Sequence, residues 1–544
     1  MSEMAEPQVV KKIVLKNFRR FRDATVEFGP GLNIMVGDNE AGKSTVLEAI
    51  NLALTSRWQG KFFSGELTPH FITLEATREY LEAIQAGGRP EPPELVVELY
   101  LAESANTVKL KGSNNSLGED ACGLRIVARF DKESFGEEYK SFVENKEEVR
   151  AVPTEFYRVD WHDFGAHAVN PRAIKVTSSL IDASRIRLQS GADYYLQRII
   201  TESLEPKKRA QLSRAFRSLQ ESFADDESIK ALNSALDASQ EQITDKKFTM
   251  AINASQSNQW DSALAPHLDA LPLHMAGSGE QNKLKILLAL ARRVEDAHLI
   301  LVEEPENHLS FSSLNQLIER ISGKCEERQV VITTHSSYVI NKLGLDKLML
   351  LSGEAVTRTS DLPAGTEDYF KKLSGYDTLR LVLAKAAILV EGPSDELVVQ
   401  RAYWDRHNRR PIEDGIDVIN VRGLSAKRFL DLAVPLKRRV AVINDNDGDF
   451  EKNIIEKYSD YSSHNFISFH ASADNSLKTL EPQVVAAAGL DALNRVLGTN
   501  FSTDADAIQH MTANKTSAAL TLHDSAEVLT WPQYIQDAVN GINE

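Results

Sequence analysis

The 544-residue sequence carries 62 Lys and Arg against 78 Asp and Glu, a formal net charge of −16, with 42% hydrophobic residues. That hydrophobic content supports about three or four globular domains and excludes a disordered chain; the negative charge leaves any nucleic-acid contact to local basic patches. Two cysteines, Cys122 and Cys325, exclude a disulfide scaffold or a zinc cluster, and a short acidic start with no long apolar run predicts a cytoplasmic protein without a membrane span.

Ile13 to Phe18 and Ala24 to Phe28 alternate as two short strands around Arg19, Arg20 and Phe21, a β-hairpin with an exposed basic edge. Leu32 to Val36 is a buried strand, and Thr45 to Leu54 is an amphipathic helix. Between them Gly37 to Thr45, GDNEAGKST, fits the phosphate-binding loop G-x-x-x-x-G-K-[ST] without mismatch. Gly37 and Gly42 allow the backbone N–H groups to turn inward, and the helix N-terminus adds partial positive charge. The expected ATP contacts are Gly37, Asn39, Gly42, Lys43, Ser44 and Thr45, with Lys43 on the β and γ phosphates and the Ser44 hydroxyl on Mg²⁺.

Glu94 to Leu101 and Leu124 to Phe130 read as strands of an antiparallel sheet. Phe156 to Asp163 holds an adjacent His162 and Asp163 but no companion histidine at useful spacing, and reads as a structural loop. From Leu188 to Ala238 the chain turns helical, with Leu212, Ala215, Phe216, Leu219 and Phe223 forming one apolar stripe that faces a partner. Residues 188–245 are therefore expected to form a compact dimerisation element. Lys207, Lys208 and Arg209 at its start read as a solvated face.

MAGSGEQ at Met275 to Gln281 opens a further helix, placing Ser278 and Gly279 at its N-terminus. Leu299 to Val302 is a buried strand ending at Glu303 and Glu304, and Val330 to Thr333 is another, ending near His335. Phosphate hydrolysis needs an acid near Mg²⁺, a carboxylate that orients water and a γ-phosphate sensor. Glu303, Glu304 and His335 stand at strand ends where a parallel sheet presents such groups. The order GDNEAGKST, GSGEQ, LILVEEPENHL, VVITTH resembles the ABC-type ATPase head, and KNFRRF before the loop resembles the SMC and RecF branch. The resemblance implies that Ser278 and Gly279 act on nucleotide bound by a second protomer, hence a head-to-head dimer. Glu303 stands where that family usually has Asp, one methylene shorter, which implies looser magnesium binding.

A boundary is expected between Gly353 and Ala384, followed by a new α/β series. Strand Ala387 to Val390 ends in Glu391 and leads into a helix from Glu396 to His407; Ile416 to Val421, helix Ala426 to Leu432 and strand Arg439 to Ile443 follow, the last ending in Asp445 and Asp447. Glu391, Asp395, Asp445 and Asp447 at parallel strand ends would repel one another without a divalent cation, and oxygen-only ligands favour Mg²⁺ or Mn²⁺. Asp445, Asp447, Asp449 and Glu456 also match calcium-loop spacing, but Asp445 follows a buried strand and not a helix. Lys427, Arg428, Lys437, Arg438 and Arg439 are expected beside this cluster, holding a DNA backbone.

LVEGPSD followed by a strand and D-x-D resembles the TOPRIM domain, and with Glu481 in TLEP and Lys515 in TANKTSAAL it resembles that of the OLD nucleases. The resemblance implies that Glu481 completes a second metal site and that Lys515 stabilises charge on the scissile phosphate. The whole chain then reads as α/β: an ABC-type ATPase head (1–187 and 246–378) interrupted by the helical insertion (188–245), then a TOPRIM nuclease domain with C-terminal helices (379–544). Length and layout resemble the nuclease subunits of Gabija anti-phage systems. These resemblances imply a nucleotide-regulated, metal-dependent endonuclease acting on double-stranded DNA, a dimer or tetramer, with a UvrD-like helicase as a further partner. The rival reading is a DNA-repair ATPase whose TOPRIM domain binds DNA without cutting it.

Overall fold

The computed structural model describes residues 7–38, 40–144, 149–171, 174–182, 204–238, 250, 260, 266–291, 298–325, 328–352, 354–359, 365–366, 378–421 and 426–543. They fall into two compact units: residues 1–35, 40–334 and 353–355, and residues 36–39, 335–352 and 356–544.

In the first unit the longer strands are β1 (Val10–Phe18), β2 (Phe21–Glu27), β3 (Leu32–Val36), β4 (Leu95–Leu101), β5 (Ala121–Phe130), β6 (Tyr157–Asp163), β7 (Ser178–Asp182), β8 (Leu299–Glu303) and β9 (Gln329–Thr333). The order β2-β1-β4-β5 is antiparallel, and β6 pairs with β5. β2 alternates buried and exposed residues, the mark of a sheet with one wet face. Arg19 is less free than a basic hairpin edge suggests: its guanidinium pairs with Glu48 at 2.7 Å and lies 5.5 Å from the Trp58 ring. The expected loop at 156–163 is the strand β6, and Asp163 hydrogen-bonds the backbone N–H of His167 at 2.9 Å to close the turn after it.

Four strands of the other sheet run parallel, in the order β7-β8-β9-β3. β3, β8 and β9 are buried along their whole length, as strands covered on both faces must be. Buried Gln329 joins the two sheets: its side chain accepts from the Val9 and Val10 amides and donates to the Val10 and Gly29 carbonyls. Helix α1 (Lys43–Thr55) follows β3, and α4 (Ser278–Ala291) precedes β8. In between come α2 (Pro206–Ala224) and α3 (Glu227–Ala238); the expected apolar stripe lies on α2, where Leu219 is 65% exposed and Phe223 52%.

The second unit contains a four-stranded parallel sheet of β10 (Ala386–Val390), β11 (Ile416–Asn420), β12 (Arg439–Ile443) and β13 (Ile467–His470), in the order β11-β10-β12-β13. Helix α5 (Pro393–His407) follows β10, and α6 (Lys427–Ala433) precedes β12. After β13 come α7 (Leu480–Ala488), α8 (Leu490–Leu497), α9 (Asp504–Ala513), α10 (Lys515–Asp524) and α11 (Gln533–Gly541). Ile388, Val390, Val398, Tyr403, Leu522 and Ile535 share one core, so these helices are part of the domain and not an appendage. Each such buried aliphatic side chain contributes about 1.5–3 kcal/mol. Arg401 of α5 fastens the end of α10: it pairs with Asp405 at 2.8 Å and donates to the carbonyls of His523, Ser525 and Glu527.

Parallel strands sort the loops into two ends, and this corrects the expected DNA-backbone cluster. Lys437, Arg438 and Arg439 lie at the start of β12, whereas Asp445 and Asp447 lie past its end. Five strand residues at about 3.3 Å each put the strand's length, about 16 Å, between them. Arg438 is spent locally on the Val382 carbonyl at 2.6 Å, Arg428 on Thr366 at 2.7 Å and Lys427 on Asp460 at 3.7 Å.

Candidate metal centre and nucleotide site

In the first unit the phosphate loop and the end of β8 meet at the start of α1. Gly42, the residue before the helix, has φ 98°, and a Cβ there would stand 2.5 Å from the Phe21 ring, so the loop requires glycine at this point. Lys43 and Thr45 are buried at the helix start. The Ser44 hydroxyl donates to the Glu303 carboxylate, joining the loop to the end of β8. The extra methylene of Glu303 relative to Asp lets it span this gap.

Glu304, the next residue, has φ 44°, and His308 has φ 63°. Residues held in this region cost about 1–3 kcal/mol and persist where the surroundings over-determine them. Here the surroundings are visible: Asn307 donates to the Glu304 carboxylate at 2.7 Å, Thr334 donates to Glu306 at 2.7 Å, and Asn282 of α4 donates to the Asn307 carbonyl at 3.1 Å. Gly279 packs on the same turn, since a Cβ there would lie 2.2 Å from the His308 carbonyl oxygen. Ser278 begins α4, half-buried. Gly37 follows directly on β3 and His335 stands two residues beyond β9. Asn39 lies outside the described residues.

In the second unit Glu391, Asp445 and Asp447 follow the ends of β10 and β12, and Asp395 and Glu481 stand in the first turns of α5 and α7. Glu391 follows β10 and accepts hydrogen bonds from the Asn444 side chain and from the Asp445 backbone N–H, the latter at 3.3 Å. Asp395 sits in the first turn of α5 and accepts from the Gly392 N–H at 3.0 Å. Its carboxyl is pushed up to about 6, first by burial and then by the charge of Glu391. Asp445 is pushed further, to about 8, by burial and then by the charges of Asp395, Glu391, Glu481 and Asp447. Glu481, in the first turn of α7, is buried, accepts from the Thr479 hydroxyl at 2.9 Å and pairs with Lys515 at 3.3 Å.

Residues that sequence reasoning missed shape this centre. Asn446, wholly buried between the two aspartates, donates to the carbonyls of Ser472 and Asp474 at 2.8 and 2.9 Å and accepts from the Gly448 N–H at 2.8 Å. This turns Asp447 into the left-handed region at φ 48°. Asn444 is oriented by the Tyr458 hydroxyl, 3.1 Å away. The phenol of Tyr534, from α11, is held well above its usual range by burial and then by the charges of Asp445, Asp395, Glu391 and Glu481.

The donor set is oxygen only, which suits a hard divalent cation. Asp395 and Asp445 are held up first by burial and then by neighbouring carboxylate charge, and a bound cation would relieve the second of these. Among the described residues no three acids are closed around a single point as a finished metal site; they act on one another across a shared region.

Residues 12–262 match the family described as AAA domain, and residues 382–447 match the TOPRIM domain of the overcoming lysogenization defect protein-like family. The OLD nuclease of Thermus scotoductus is 23% identical over 474 residues, covering 81% of this chain and 82% of that protein. The DNA replication and repair protein RecF of Lachnoclostridium phytofermentans is 43% identical over 49 residues, 9% of this chain, which spans 14% of that protein's length. The solved C-terminal region of the Burkholderia pseudomallei OLD protein aligns with a TM-score of 0.25 at 19% identity, covering 29% of this chain and 97% of that one. The chain thus carries an AAA ATPase domain and an OLD-like TOPRIM domain, in an α/β fold with a parallel sheet in its C-terminal region. The two domain types imply use of a nucleotide and a divalent metal. No helix among the described residues is long and apolar enough to cross a membrane.

Proposed function

We propose that this chain, which joins an AAA-type ATPase domain to an OLD-like TOPRIM domain, is a divalent-metal-dependent DNA endonuclease whose cutting is regulated by nucleotide. The observation that supports the reading is the meeting of two strand ends at Glu391, whose carboxylate accepts from the Asn444 side chain and the Asp445 backbone N–H, with Asp395 and buried Glu481 in the first turns of the helices α5 and α7. In this reading Glu391, Asp395, Asp445, Asp447 and Glu481 hold Mg²⁺ or Mn²⁺. When bound, the metal supplies Lewis-acid polarisation of the phosphodiester and a more acidic water. Lys515 keeps Glu481 oriented until substrate arrives, then turns its charge to the phosphate oxygens. Asn444 and Asn446 fix the carboxylate-bearing loop without touching substrate.

In the ATPase, Ser44 and Glu303 take Mg²⁺, and Gly37, Asn39, Gly42, Lys43 and Thr45 take the ATP phosphates. Glu304, oriented by Asn307, positions water, and His335 senses the γ-phosphate. Ser278 and Gly279 reach the nucleotide of a second protomer. Boundaries at 187, 245 and 378 divide the chain into the two ATPase halves, the helical insertion and the nuclease domain. The uncovered stripe at Leu212, Leu219 and Phe223 supports 188–245 as the dimerisation element of a dimer or tetramer. The layout further suits anti-phage defence of the Gabija type, with double-stranded DNA as substrate and a UvrD-like helicase as partner.

Incubating the full chain with supercoiled plasmid and Mg²⁺ or Mn²⁺, with and without ATP, tests this reading. Metal-dependent nicking that changes with ATP is expected. DNA-stimulated ATP hydrolysis without nicks would replace it with the DNA-repair ATPase that binds and does not cut.

A further inference from the structure

A cavity of about 610 Å³ opens on the second unit, lined by Arg380, Arg401, Trp404, Arg410, Ile412 and Asp417 among others. That volume is in the range of pockets that take small organic ligands. It is separate from the carboxylate centre. Asp417 lies near the start of β11, and the acids follow strand ends, so a parallel sheet places them at opposite ends. Trp404 lies nine residues beyond Asp395 along α5, about 13 Å of helix.

Two of the arginines are committed to the fold. Arg380 binds both Asp417 oxygens and the Val418 carbonyl, and Arg401 fastens α10. Arg410 differs: it is exposed, and its guanidinium has no hydrogen-bond or ion-pair partner among the described residues. Beside it Trp404 is 42% exposed and Ile412 65%, so an aromatic ring and an aliphatic wall stand open at the mouth. Three arginines against Asp417, and Asp405 behind Arg401, leave the pocket cationic in a chain whose net charge is −16.

An indole face, an uncommitted guanidinium and an apolar wall match a planar aromatic ring carrying an anionic group. We propose that this pocket binds a nucleoside monophosphate, the base stacked on Trp404 and the phosphate on Arg410. The site is distinct from the phosphate loop at Gly37 to Thr45, and the inference does not rest on the nuclease reading.

The test uses the full chain carrying Lys43→Ala, which weakens nucleotide binding at the phosphate loop. Adenosine monophosphate is titrated in by calorimetry, with tryptophan fluorescence as a second readout. One binding event with quenching is expected, weakened at least about tenfold by Trp404→Ala and by Arg410→Gln separately. Both side chains are at the surface, and circular dichroism checks that each variant folds. Absence of binding to the Lys43→Ala chain, or binding unchanged by either substitution, overturns the proposal. Because the readout is binding, a chain that cuts no DNA tests it equally well.

Discussion

Asp445 turns its backbone N–H toward the carboxylate of Glu391, 3.3 Å away across 54 residues of sequence, so the ends of two neighbouring parallel strands share one anion. Burial first, and then the charge of the neighbouring carboxylates, raises the Asp445 carboxyl to about 8 and that of Asp395 to about 6. Both lie above the ordinary aspartate value of 3.8. Between those limits the folded chain therefore holds more protons than the unfolded one, and stability falls as pH rises through that window. Metal-free protein should melt at a higher temperature near pH 5 than near pH 8, as far as these groups decide it. Mg²⁺ should raise the melting temperature more at pH 8 than at pH 5, and Asp445→Asn should flatten both differences. Differential scanning calorimetry at the two pH values, with and without Mg²⁺, measures this.

Asn446 organises the loop between the aspartates while fully buried. Asn446→Ala leaves the Ser472 and Asp474 carbonyls and the Gly448 N–H without partners. The amide is fully buried but its three partners are only partly so, and water can replace some of what they lose, so a loss of about 1–2 kcal/mol is expected. Urea unfolding followed by circular dichroism should show it, together with loss of metal-dependent activity, whereas Glu451→Ala, exposed just beyond the loop, should leave stability nearly unchanged.

The Ser44 to Glu303 hydrogen bond marks where magnesium is expected in the ATPase. Ser44→Ala removes a hydroxyl bonded to a charged group, a contact worth about 1.5–3 kcal/mol. ATP affinity in the presence of Mg²⁺ should fall roughly tenfold or more, while ATP affinity in EDTA should change little. Equilibrium binding of a fluorescent ATP analogue under both conditions separates the two.

Gly279 touches the turn that carries Glu304 and His308. Gly279→Ala would press a methyl group onto the His308 carbonyl, and overpacking of this kind costs about 1–3 kcal/mol. ATP hydrolysis should fall severalfold, with ATP binding retained. A steady-state phosphate-release assay alongside the binding assay checks it.

What could be read from sequence was whatever repeats locally. β3, β8, β9, β10 and β12 show as short apolar runs because strands covered on both faces carry few polar positions, and the residues after them fall at the sheet's functional end. β6 was hidden because its residues are half-exposed and polar, giving neither an apolar run nor clean alternation. Lys437, Arg438 and Arg439 looked close to the acids through nearness in sequence, but the intervening strand carries them to the opposite end of the sheet. Asn446 and Tyr534 left no signal, because their roles depend on contacts with residues 26 and more positions away.

The central claim is that the acids at the ends of β10 and β12 gather divalent ions for DNA cleavage. The most direct measurement compares wild type with Asp445→Asn for nicking of supercoiled plasmid across a Mg²⁺ and Mn²⁺ series, with a melting curve for each protein. The account predicts metal-dependent nicking by wild type, reduced on the order of 10²-fold or more in the folded Asp445→Asn chain. Equal nicking by the two proteins, or none by wild type with either metal at any nucleotide concentration, would contradict it.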